Sequence, residues 1–85
     1  MSENQIIKKI QKTLNSISDS LLNKVPFNVS EDDLKELAKK VPTLSHEKQS
    51  HPACRRILDV NAIASVSGLE RNRYKLARLL KLISN

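Results

Sequence analysis

Eighty-five residues, 39% hydrophobic and only 2% aromatic, with a formal charge of +6, describe one small domain with a modest core. One Gly, three Pro and no Trp leave little turn chemistry for a β-rich fold. Cys54, the single cysteine, excludes an internal disulfide. The composition predicts an all-α protein: a small single-domain bundle of four to five short helices over residues 1–85, ending in a C-terminal helical hairpin.

The first helix is amphipathic. Ile7, Ile10, Leu14, Ile17 and Leu21 recur by threes and fours along one face, with Ile6 and Leu22 beside it. This seam covers about two heptads, short for a coiled coil, so packing within the bundle is the first reading and self-association the second. Pro26 is the expected stop. The polar start, Met1-Ser2-Glu3-Asn4-Gln5, lacks the pattern of a signal peptide, and no apolar run approaches the ~20 residues of a membrane span. The expectation is an intracellular protein, cytoplasmic or nuclear, not secreted and without a membrane partner.

The second helix carries the clearest start signal. Ser30 is the N-cap, Glu31, Asp32 and Asp33 occupy the first turn, and Val29 and Leu34 are spaced as a hydrophobic staple. Leu34, Leu37, Ala38 and Val41 face inward, and Pro42 ends the run. Residues 43–51 form a polar connection with room for one helical turn. Pro52 suits the first turn of the next segment, in which Ile57, Leu58, Val60, Ile63, Ala64 and Val66 make a helical apolar pattern up to Gly68. Asp59 is placed to cap a new start, so one helix or two are both compatible with residues 52–67. The last helix is expected from Leu69 to Ile83.

Charge is unevenly spread. Residues 54–85 hold seven basic side chains against Asp59 and Glu70, a net of +5, and include all five arginines: Arg55, Arg56, Arg71, Arg73 and Arg78. Arginine offers a planar fork of donors suited to phosphate and carboxylate, so this third points to an anionic partner.

Residues 59–80 resemble a helix-turn-helix, with Ala64 as the small residue at the crossing, Gly68 in the turn and Leu69 as the apolar anchor. The resemblance implies a second helix in the major groove, with Arg71, Asn72 and Lys75 toward bases or phosphates. The motif's usual apolar residue before the glycine is replaced by Ser67, and its burial pattern asks for residues 74 and 77 inside. At 3.6 residues per turn, Leu69, Leu76, Leu79, Leu80 and Ile83 instead share one side, and burying each is worth roughly 1.5–3 kcal/mol. That face sets the orientation. It leaves Arg71, Lys75 and Arg78 as a basic stripe, flanked by Tyr74 and Lys81, with Arg55 and Arg56 extending it across the hairpin.

The function expected from these residues is non-enzymatic: a nucleic-acid-binding accessory protein contacting phosphates through Arg55, Arg56, Arg71, Arg73, Lys75, Arg78 and Lys81. Two aromatic residues are too few for a single-strand stacking platform, so duplex DNA or structured RNA is the expected ligand. The alternative is a protein-interaction subunit that docks an acidic partner on the same stripe, or forms a homodimer or larger assembly through Ile7, Ile10, Leu14, Ile17 and Leu21. His46, His51 and Cys54 fall short of the four ligands of a structural zinc site. Cys54 with His51 lacks a third group to orient a nucleophile's base. A single glycine excludes a Gly-rich phosphate loop. No catalytic residue, metal ligand or cofactor is assigned.

Overall fold

The computed structural model describes residues 2–84. Among these the chain forms five α-helices and no strand: α1 (Glu3–Asn23), α2 (Glu31–Lys40), α3 (His46–Gln49), α4 (Pro52–Ser67) and α5 (Arg73–Leu79). Short 3₁₀ turns at Val41–Thr43 and Glu70–Asn72 follow α2 and precede α5.

The helix starts are local chemistry. Ser2 opens α1 with a capping box: Gln5 N–H donates to its hydroxyl at 3.2 Å, and its own N–H donates to Gln5 Oε1 at 2.9 Å. Ser30 does the same for α2, accepting from Asp33 N–H at 3.1 Å. His51 caps α4, its Nδ1 accepting from Ala53 N–H at 3.0 Å, and Pro52 fills the first helical position.

Two helix ends use a lysine where glycine is usual. Lys24 closes α1 in the left-handed region at φ 57°, with Val25 N–H donating to Ser20 O at 3.1 Å. Lys81 closes α5 at φ 60°, with Leu82 N–H donating to Ala77 O at 2.8 Å. These six-to-one bonds satisfy carbonyls that the helix leaves open. Helix α1 therefore ends before Pro26, and α5 stops at Leu79 instead of running to Ile83.

Helix α4 is central: α1, α2, α3 and α5 all pack on it. It is one continuous helix, so Asp59 caps nothing. Ile10, Ile17, Leu34, Ile57, Val60 and Leu76 are fully enclosed, each worth roughly 1.5–3 kcal/mol of transferred surface. Ile7, Ile10, Leu14 and Ile17 are all buried in this one core, and Leu21 packs at its edge. The seam packs within the bundle, the first of its two readings.

Leu22, placed beside the first seam, is exposed, and three further apolar residues expected inside lie outside. Leu58 and Val66 sit on the outer side of α4, and Ile83, beyond the shortened α5, is also exposed. The other members of the C-terminal leucine face behave as expected: Leu69 and Leu76 are buried, and Leu79 and Leu80 are half-buried.

Candidate functional site

The basic residues of the C-terminal third are sorted by the turn between α4 and α5. Gly68 adopts φ 87° and ψ 162°, a region essentially closed to residues with a Cβ. A Cβ there would also lie 3.0 Å from Glu31 Oε1, the oxygen that accepts from Leu69 N–H at 3.1 Å. The acidic first turn of α2 thus reaches across to cap the chain entering α5. Asn72 is buried and donates to Ser67 Oγ at 2.8 Å and to the Gly68 carbonyl. It seals the turn from inside, which withdraws it from the role of a base reader.

Arg73 is likewise turned to internal use. Its Nη2 donates to Ser20 O at 2.9 Å and Val25 O at 2.6 Å, its Nη1 pairs with Glu70 at 2.7 Å, and its guanidinium lies 4.4 Å from the Phe27 ring centroid. Glu70 also accepts from Phe27 N–H at 2.9 Å. That backbone bond first, and Arg73 second, hold the Glu70 carboxyl below the usual range. Arg73, expected as a partner-binding residue, is thus engaged with Ser20, Val25 and Glu70 of its own chain.

The remaining cations do not form one stripe. The 3₁₀ turn at Glu70–Asn72 breaks the helical spacing that would place Arg71 in line with Lys75 and Arg78. Arg71 borders a groove beside Glu31 and Glu70. Lys75 and Arg78 border another groove, floored by Ile63, Leu79 and Ile83. Arg55 is exposed on α4.

A groove of ≈ 810 Å³ lies between α1, the start of α4 and the end of α5. Arg56 and Lys81 line it together with Gln11, Asn15, Ser18 and His51, and no described carboxylate does. Neither Arg56 nor Lys81 has a described carboxylate within ion-pair distance; the ion pairs found among described residues are Lys39–Glu36 and Arg73–Glu70. Because His51 Nδ1 accepts a hydrogen bond, its neutral ring carries the proton on Nε2 and offers a donor. The groove also meets the first residues of the 16-residue α4, the positive end of its dipole. Lys8, Lys9 and Lys12 lie on another side of α1, where they line a separate groove with Thr13, Ser16, Asn28 and Val29. Sequence reading passed over them; their signal was the Lys-Lys-x-x-Lys run at residues 8–12 opposite the isoleucine seam.

Cys54 is fully buried, and burial pushes its thiol up. Among the described residues no group of three or more His, Cys, Asp or Glu is placed to hold a metal ion, and no helix is long and apolar enough to cross a membrane. No family model, curated protein or solved structure matches the chain.

Proposed function

We propose that this is a non-enzymatic accessory protein that binds the phosphate backbone of duplex DNA or structured RNA in the groove lined by Arg56 and Lys81. One observation carries the reading. Two cations 25 positions apart in sequence meet in one groove, among neutral hydrogen-bonding side chains and without a described counter-charge. Arg56 supplies a planar fork for phosphate oxygens and Lys81 a point charge. Gln11, Asn15, Ser18 and the His51 ring add neutral donors for oxygens the cations do not reach. Contacts of this kind position a backbone and carry no base information, so the expected binding is weakly sequence-dependent and strongly salt-dependent.

Fluorescence anisotropy with labelled duplex DNA and hairpin RNA, across a salt series, tests it. The protein should lose affinity steeply as salt rises. The Arg56→Ala, Lys81→Ala double variant should bind more weakly at every salt concentration and flatten the logarithmic salt slope by about 2. Arg71→Ala, in a different groove, should change little. Equal binding by the double variant and the parent protein rules the reading out.

A further inference from the structure

The groove between α4 and α5 has a different chemistry from the one just described, and it is independent of it. Its floor is apolar: Ile63 from α4, Leu79 from α5 and Ile83 beyond it. Its only charged lining residues among those described are Lys75 and Arg78, one helical turn apart and both exposed. Neither has a described carboxylate within 4.0 Å. Val66, 85% exposed and one turn along α4 from Ile63, carries the apolar strip onward.

We infer that this groove docks an acidic amphipathic protein segment, which lays an apolar face on Ile63, Leu79 and Ile83 and sets carboxylates against Lys75 and Arg78. The two halves of the surface select that occupant together. An apolar floor offers a phosphate backbone nothing to bond, so a nucleic acid would gain only from the rim. A second copy of this chain carries a net charge of +6 and is repelled at long range. An amphipathic helix with apolar residues three and four apart and Glu or Asp beside them satisfies both parts at once. Small exposed apolar residues at the end of a short helix are ordinary; an apolar floor with two same-sign neighbours that have no described counter-charge is what specifies the partner's charge.

Two 18-residue helical peptides serve as probes, sharing one leucine face and carrying either glutamates or lysines beside it. Amide chemical-shift mapping on the full chain reads the site, and anisotropy reads the affinity. The glutamate peptide should shift the amides of residues 63–66 and 75–83 and should bind at least tenfold more weakly to the Lys75→Glu, Arg78→Glu double variant. The lysine peptide should fail on the parent protein and bind the reversed variant. That exchange of preference is a result no merely structural role of Lys75 or Arg78 would produce. The inference is overturned if the glutamate peptide causes no shifts, or shifts residues elsewhere, or binds both proteins equally. It is also overturned if duplex DNA shifts these same amides and charge reversal abolishes that binding, since the groove would then serve nucleic acid. The Arg56→Ala, Lys81→Ala variant should bind the glutamate peptide normally, which separates this result from that of the larger groove.

Discussion

The guanidinium of Arg73 donates to the carbonyl of Ser20, 53 residues earlier in the chain, and so places a cation on the C-terminal end of α1. No basic residue lies in the last turn of α1 itself. Arg73 supplies from a distance the positive charge that the helix dipole favours there. Substituting it removes two charge-assisted bonds to carbonyls and the contact with Phe27. Arg73→Ala should cost roughly 1.5–3 kcal/mol in urea denaturation, and Arg73→Lys should recover little, because an ammonium cannot span both carbonyls and Glu70. Nucleic-acid affinity measured below the unfolding transition should be unchanged. A loss of affinity without a loss of stability would put Arg73 back among the ligand contacts.

Gly68 faces two separate prohibitions on a side chain, the backbone region at φ 87° and the approach of Glu31. Gly68→Ala should destabilise by roughly 1–3 kcal/mol. Glu31→Gln, which keeps an acceptor for Leu69 N–H, should be much milder. If the alanine variant unfolds at the same urea concentration as the parent, the turn is not held as described.

Glu70 gives the fold an acid-sensitive joint. Its carboxyl is lowered in the folded state, so ionised Glu70 contributes stability that is fully present above the ordinary glutamate pKa, about 4.3. The contribution is lost as pH falls through the lower folded-state value. Glu70→Gln should therefore be less stable than the parent by a constant amount at neutral pH, with the gap closing below the ordinary value. Thermal unfolding of both proteins between neutral pH and strongly acidic pH measures this. A gap that stays constant to the lowest pH would show that ionisation of Glu70 plays no part.

The parts of the fold that were legible in the sequence are those whose causes are local. Ser30 with its acidic first turn, Pro52 at the start of α4, and the threes-and-fours of Ile7 to Leu21 are each determined within one or two turns of helix. Where that isoleucine face goes followed from its length: about two heptads are too short for a coiled coil, and the face packs inside the chain. The end of α5 was not legible. Glycine is the usual mark of a left-handed stop, and here Lys81 takes that conformation and Lys24 does so at the end of α1. Neither residue type announces it.

The candidate site divides along the same line. That the C-terminal third is strongly basic was plain from composition. Which arginines remain available was not, since the bonds that occupy Arg73 come from residues 53 and 48 positions away. Helical spacing joined Arg71 to Lys75 and Arg78 on paper, and the 3₁₀ turn that parts them follows from Gly68 and Asn72 rather than from any periodicity. Lys81 gained its place beside Arg56 from the left-handed stop at the end of α5.

The central position of α4 governs the order in which the chain can acquire structure. Helices α1 and α2 make few contacts with each other and bury their apolar faces chiefly on α4. During synthesis both emerge before their main packing surface exists. An isolated helix of ten residues, the length of α2, is marginal in water, so it gains little by forming early. Helix α2 should therefore gain its stability only once residues 52–67 are available, with α4 as the helix that gathers the others.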